Sequence, residues 1–165
     1  MRTSARSGFT LVEVMIVVAI IALLAAIAIP NVLRGRTSAN ETAAVGNIKA
    51  LLSSMEMYRS VSNAYPTTAQ WVVNGVMYPA GQPGFGPPSF NAGSPVTVQG
   101  FTYTYAGTAN TYSWLVVPVT AGTTGTRSFY ADQTGIVRHC TMGAPTAPNG
   151  PTWATLDSPP TAACN

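Results

Sequence analysis

The residues of this chain that could act as acids or bases are few and scattered. Outside the apolar N-terminal run they are one histidine and four carboxylates: His139, Glu41, Glu56, Asp132 and Asp157. General acid–base catalysis needs such groups within hydrogen-bond reach of the reacting proton, and none of these carboxylates forms a recognisable motif with the histidine. We therefore predict no catalytic residues and a protein that is not an enzyme.

The same residues do not predict a metal or cofactor site. His139 stands next to Cys140 in a predicted strand, without the Cys/His cluster of a metal site, and we expect it on the strand surface. Asp132 and Asp157 offer oxygen ligands, but calcium takes six or more oxygens, and Asp132 is better explained as a turn residue. The stretch "AGTTGT" at 121–126 lacks the lysine of a phosphate-binding loop.

Composition narrows the class of partner. Charged residues make up 8% of the chain, against about 25% in an average soluble domain. The net charge of +3 comes from eight basic residues that form no cluster, which argues against nucleic acid as a specific ligand.

Two cysteines, Cys140 and Cys164, lie near the C-terminus. Because the N-terminal segment resembles an export signal, a single disulfide outside the cytoplasm is the favoured interpretation, and two free thiols are the alternative.

One acidic residue, Glu13, lies in an apolar segment where a charge is unfavourable. The stretch "SGFTLVEVMIVVAIIALLAAIAIPN" at 7–31 carries Glu13 near the start of its apolar run. At about 1.5 Å per residue, residues 9–29 form a helix of about 31 Å, which matches a bilayer core of about 30 Å. A carboxylate at membrane depth is costly, so the sequence indicates that a further interaction compensates Glu13.

The elements that position Glu13 follow from the pattern around it. Residues 1–8 carry Arg2 and Arg6, which predicts a cytoplasmic N-terminus. Residues 9–30 are predicted to span the membrane and 31–60 to form an amphipathic helix with the apolar stripe Val45, Ile48, Leu52 and Met55. One helix from Phe9 to Ser60 would be about 78 Å long. Pro30 predicts a kink, or, alternatively, the end of one helix and the start of another.

The remaining residues predict a small sheet. We expect 61–99 to be an irregular αβ loop. Residues 100–140 carry four aromatic and β-branched stretches, typical of an antiparallel meander: 101–106, 111–119, 127–131 and 136–140. Pro118 predicts an edge position or a bulge, and "DQTG" at 132–135 predicts a type I turn. The tail, 141–165, lacks strand signals. The fold class is therefore α+β, with a long helix packed on a small antiparallel sheet.

The N-terminal stretch resembles a known family. "GFTLVEVMIVVAIIALLAAIAIPN" is similar to the N-terminus of type IV pilins and pseudopilins, with a short basic leader that ends in Gly, followed by Phe, Thr, Leu and, fifth in the mature chain, Glu. The likeness extends more loosely through "VLRGRTSANETAAVGNIKAL". "PVTAGTTGTRSFYADQTGIVRHC" also resembles the C-terminal strands of some bacterial pilins. The resemblance implies the type IV pilin fold.

The resemblance also implies roles for single residues. Gly8 would precede the bond that a prepilin peptidase cuts, Phe9 would become the N-methylated N-terminus, and Glu13 would act in filament assembly. A neighbouring subunit's ammonium group would compensate the Glu13 carboxylate and favour the correct axial register. The C-terminal segment 141–165 would be a loop closed by the Cys140–Cys164 disulfide.

The implied function is that of a structural subunit that polymerises into a type IV pilus, a helical homo-oligomer. Its expected partners are the prepilin peptidase and the inner-membrane assembly machinery. It would be a single-pass inner-membrane protein before assembly and part of an extracellular pilus afterwards. The alternatives are a pseudopilin of a type II secretion system, in a periplasmic pseudopilus, and a membrane-anchored extracytoplasmic binding domain that does not polymerise. A secretory signal peptide cut near Ala28 and an ordinary single-pass anchor are the simpler interpretations of the N-terminal run.

Overall fold

The computed structural model describes residues 8–73, 76–79, 84–141 and 154–155. Two α-helices, α1 and α2, and six strands, β1 to β6, are given by their bounds: α1 Leu11–Ser62, α2 Thr68–Val73, β1 Val96–Val98, β2 Phe101–Gly107, β3 Tyr112–Pro118, β4 Arg127–Asp132, β5 Val137–Thr141 and β6 Ala154–Thr155. The strands form one antiparallel sheet in the order of the chain. The predicted α+β class, a long N-terminal helix on an antiparallel sheet, is confirmed.

The chain divides into two compact units, Met1–Gly35 and Arg36–Asn165. In the first unit, every large apolar side chain from Phe9 to Leu33 is more than half exposed. Leu, Ile, Val and Ala occupy all sides of the helix there, so this part of α1 has no apolar face that could be told from a polar one. A helix of this kind is stable only where something apolar surrounds it.

Helix α1 is continuous through Pro30, so the alternative of two separate helices is wrong. Pro30 has no N–H to donate to the carbonyl of Ala26. One residue later, the Asn31 side chain donates to the Ile27 carbonyl at 3.2 Å. The bend expected at Pro30 stays a prediction.

In the second unit, α1 packs its apolar face on one face of the sheet. The buried residues of this face are Ala44, Ile48, Leu51, Leu52, Met55 and Tyr58, and they form a single cluster with the sheet residues. Three of the four predicted stripe residues are among them, and Val45 is partly buried against the same cluster. Burial of each such side chain contributes about 1.5–3 kcal/mol relative to exposure.

The sheet contributes the alternate residues of its strands to this core. Its buried apolar side chains are largely aromatic: Phe101, Tyr103, Tyr105, Tyr112, Trp114, Val116, Phe129, Ala131 and Val137. Tyr105 and Trp114 are directly opposed across β2 and β3, with ring centroids 4.8 Å apart. Cross-strand aromatic pairs of this type stabilise a sheet and fix its register.

The predicted turn after β4 is present. The Gly135 amide donates to the Asp132 carbonyl at 3.0 Å, and Gly135 has a φ of 74° that suits glycine. The Thr134 amide donates to Asp132 Oδ1 at 2.9 Å, as an aspartate at the first turn position does.

Three further expectations are wrong. Pro118 lies in β3, between β2 and β4 rather than at an edge; it is tolerated because it ends the strand, two residues beyond Val116, where pairing with β4 stops. The irregular loop expected at 61–99 contains α2, a 3₁₀ turn at Pro88–Phe90 and β1. The tail expected to lack strands contains β6, which pairs with β5.

Candidate processing and assembly site

The peptide bond between Gly8 and Phe9 lies just before α1. Phe9 is 87% exposed, and a Cβ placed on Gly8 would meet no atom within 4 Å. The chain's own packing therefore gives no reason for glycine at position 8. If glycine matters there, the reason lies in a molecule that approaches this bond closely.

Thr10 and Glu13 cap the first turn of α1. The Thr10 amide and hydroxyl donate to Glu13 Oε2 at 2.8 Å and 2.7 Å. In return, Thr10 Oγ1 accepts from the Glu13 amide at 3.2 Å. With Leu11 as the first helical residue, this is a capping box, in which the N-cap and third residues satisfy each other's backbone donors. The position of Glu13 also suits the positive end of the helix dipole.

The capping box changes the account of Glu13. From the sequence, its carboxylate is expected to lack a partner in its own subunit, whereas the structure gives it two hydrogen bonds from Thr10. The signal was present in the sequence as Thr-x-x-Glu before an apolar run. A partner from another subunit would therefore compete with Thr10 or add to its bonds.

A second polar cluster joins α1 to the loop before β4. Glu41 Oε1 accepts from the Thr126 amide at 2.6 Å and the Thr126 hydroxyl at 2.7 Å, and more weakly from the Arg127 amide at 3.2 Å. Glu41 Oε2 accepts from Arg127 Nε at 2.8 Å and lies 2.8 Å from Nη2. One turn earlier, Thr37 and Asn40 donate to the carbonyls of Thr123 and Thr124. We call Glu41, Thr126 and Arg127 the helix–loop clamp.

The electrostatics of the clamp follow from its contacts. Glu41 is 5% exposed, and burial alone would raise the pKa of its carboxyl group. Hydrogen bonds from Thr126 and Arg127, together with the charge of Arg127, outweigh burial and hold the Glu41 pKa below its ordinary value. Glu41 is therefore an ionised structural group.

His139 is not on the strand surface. The expectation was wrong, because the residue is only 1% exposed. Within the part of the chain that the structure describes, neither ring nitrogen has a hydrogen-bond partner. Burial and, to a smaller degree, the charge of Arg127 lower the His139 pKa, against an opposing effect of Glu41. Cys140, the next residue, is buried beside Leu115 and Tyr130.

Of the predicted site residues that remain, the structure describes Asp132. Asp132 is in the turn after β4 and pairs with Arg138 at 3.0 Å. Within 8–73, 76–79, 84–141 and 154–155, no group of three or more His, Cys, Asp or Glu side chains could hold a metal ion. Asp157 and Cys164 lie outside the described residues, so the disulfide stays a prediction.

Helix α1 is long and apolar enough to cross a membrane by length and composition. Together with the exposed apolar side chains of its first part, this defines a class of protein: one with an N-terminal helical segment that needs an apolar environment. The family model for the prokaryotic N-terminal methylation motif matches residues 3–29.

Curated relatives carry the likeness beyond that segment. The chain is 41% identical over 83 residues to type II secretion system core protein G of Pseudomonas aeruginosa, covering 50% of this chain and 58% of that protein. It is 41% identical over 70 residues to the protein of that name from Aeromonas hydrophila, with 42% and 49% covered. For the Escherichia coli K12 protein it is 40% over 68 residues, with 41% and 47% covered.

The chain thus spans about half the length of the curated relatives it matches. No solved structure matches it significantly. The predicted resemblance to the type IV pilin and pseudopilin family is confirmed.

Proposed function

We propose that this protein is a non-enzymatic, pilin-like structural subunit that polymerises through its N-terminal helix after cleavage between Gly8 and Phe9. A prepilin peptidase would cut this bond and methylate the new amino group of Phe9. The observation that carries the proposal is the helix segment 9–33, whose large apolar side chains are all exposed and whose N-terminal turn is capped by Thr10 and Glu13.

The exposed segment needs an apolar environment both before and after assembly. Contiguous exposed apolar surface of this extent is not tolerated in water. In the membrane, lipid would surround it, with the N-terminus on the cytoplasmic side. In a filament, the same segments of neighbouring subunits would surround it, so that one surface serves two states in turn.

Cleavage would create a cation close to Glu13. The new amino group of Phe9 is four residues from Glu13 in the chain, and it could reach the Glu13 carboxylate of its own or a neighbouring subunit. In a low-dielectric helix bundle, an ammonium–carboxylate pair is strongly favoured over either charge alone. Because Thr10 already donates to Glu13, assembly would exchange or supplement hydrogen bonds that exist in the single subunit.

Two kinds of filament fit this proposal. A type IV pilus is the first, and a pseudopilus of a type II secretion system is the second. The names of the curated relatives favour the second. In either case the inner-membrane assembly machinery would be the partner, and the final location would be extracellular for a pilus or periplasmic for a pseudopilus.

The experiment uses the full chain in a host with a pilus or type II secretion system from which the major subunit is deleted. We compare Gly8→Val, Glu13→Val and, as the matched control, Val14→Leu, which keeps the apolar surface. Intact-mass analysis should show a wild-type chain that starts at N-methyl-Phe9, with Gly8→Val unprocessed. A start near Ile29 would instead support a secretory signal peptide.

Glu13→Val should be inserted and cleaved normally but give no sheared filaments in electron microscopy, while Val14→Leu gives wild-type amounts. Normal filaments from Glu13→Val would contradict the assembly role. Sheared surface fibres in the pilus host, or restored export of a secreted enzyme in the secretion host, would separate the two kinds of filament. An inserted, processed chain that restores neither would favour a membrane-anchored domain that does not polymerise.

A further inference from the structure

We propose that His139 makes strand β5 sensitive to acid, because its ring is buried and has no hydrogen-bond partner among the described residues. This inference is independent of filament assembly. It starts from the residue's 1% exposure and from the lack, within the described part of the chain, of a hydrogen-bond partner on Nδ1 and Nε2. Neutral imidazole tolerates such a site at modest cost, whereas imidazolium, with two N–H donors, does not.

The neighbours on the same face oppose a positive charge. His139 is directly opposite Phe129 of β4, and Arg127, two residues earlier on that strand, is its diagonal neighbour. The Arg127 guanidinium lies over the Phe129 ring, 5.7 Å from its centroid. Imidazolium at 139 would therefore sit beside an existing cation.

The carboxylate whose charge acts on His139 is already hydrogen-bonded to other groups. Glu41 of α1 is the acidic group that faces this region, and both of its oxygens are taken by Thr126 and Arg127. On β5 itself, Arg138 pairs with Asp132. From β6, Ala154 is opposite His139 and adds no charge. Among the residues outside the described ranges at the C-terminal end, Asp157 is the one charged side chain.

The position of β5 in the sheet determines where a protonated His139 would disrupt the structure. β5 pairs with five residues of β4 on one side and with only two residues of β6 on the other. The central strand β3, in contrast, has seven partners in β2 and four in β4. A protonated ring can reach water most easily if β5 loosens at the β6 side, which would also uncover Cys140.

The sign of the effect is fixed by linkage. Burial disfavours the charged imidazolium in the folded protein, whereas His139 in the unfolded chain has an ordinary histidine pKa of about 6.5. Below pH 6.5 the unfolded chain therefore binds more protons than the folded protein, and the free energy of unfolding decreases as pH decreases. The loss continues down to the lower pKa of the folded state and amounts to at most about tenfold in the unfolding constant per pH unit. Glu41 and Asp132 lose their contributions only at lower pH, since their pKa values are held below the ordinary values of 4.5 and 3.8.

The test uses the full chain in detergent micelles with ¹³C-labelled histidine. The chain has a single histidine, so its imidazole signal needs no assignment. We expect a titration midpoint clearly below 6.5, a urea midpoint that falls between pH 7 and pH 5, and faster amide exchange in β5 than in β2 at pH 5 after correction for the intrinsic rate.

The variants His139→Phe and His139→Gln should have urea midpoints and β5 exchange that do not change between pH 7 and pH 5. A wild-type midpoint at or above 6.5 would overturn the proposal without any variant. So would an equal pH dependence in wild type and in a folded variant.

Discussion

Removal of the Glu41 carboxylate should cost more than any change on the exposed face of α1. Glu41→Ala leaves the Thr126 and Arg127 amides and the Arg127 guanidinium without their acceptor. Loss of one partner of a buried ion pair costs about 3–5 kcal/mol. The Arg127 side chain is 38% exposed, so water can replace part of what it loses, and we expect a decrease of about 3 kcal/mol in the free energy of unfolding.

Glu41→Gln separates the hydrogen bonds from the charge. The amide oxygen can still accept from Thr126, whereas the amide NH₂ would face Arg127 and the ion pair is lost. We expect a decrease of about 1.5–2 kcal/mol. Above pH 5 this difference should be constant, because the Glu41 contribution is present above the ordinary pKa of 4.5 and is lost only as pH falls through the lower folded value.

The assay is urea unfolding of the full chain in micelles, followed by fluorescence of the buried Trp71 and Trp114. Lys49→Gln is the matched control, since it removes one exposed charge from the same helix, and its midpoint should equal that of wild type. A free energy of unfolding for Glu41→Ala within about 0.5 kcal/mol of wild type would refute the clamp as a stabilising contact.

Three further predictions concern the rest of the chain. Thr10→Val should raise amide exchange in the first turn of α1 about fivefold, the usual effect of a lost cap, while Thr10→Ser should not; equal exchange would contradict the capping role. Pro30→Ala should slow amide exchange in the adjoining turns of α1, because an N–H at position 30 can donate to the Ala26 carbonyl. Unchanged amide exchange in these turns would count against a bend. A disulfide between Cys140 and Cys164 would close a loop of about 25 residues and contribute roughly 3.5 kcal/mol to stability. Intact-mass analysis after alkylation without reduction should show no alkyl adduct on either cysteine; two adducts would mean no disulfide.

The sequence predicted the elements whose patterns repeat. Helix α1 and strands β2 to β5 have enough residues for a period to be recognised, and the structure places each within a few residues of its predicted bounds. β1 has three residues, β6 two and α2 six, too few for any period. These short elements depend on partners already in place, so local residues do not specify them.

Two of the buried polar residues of the second unit, Glu41 and His139, show a different limit of sequence-based prediction. Strand alternation cannot locate His139, because alternation is informative only when one face is solvated. β5 has buried residues on both faces, with Val137 and His139 on one and Cys140 on the other. Glu41 could have been found. It precedes Val45 and Ile48 by four and seven residues, in line with the predicted apolar stripe.

The strictly sequential strand order has a consequence for how the domain is made. Each strand pairs with the strand just before it in the chain, so no hydrogen-bonded partner has to wait for a distant segment. If the second unit crosses a membrane in chain order behind the N-terminal segment, the second half of α1 emerges first, followed by each strand in the order of its pairing. Such local contacts favour fast folding. The sheet can thus grow one strand at a time, and β5 gains its second neighbour only when β6 emerges.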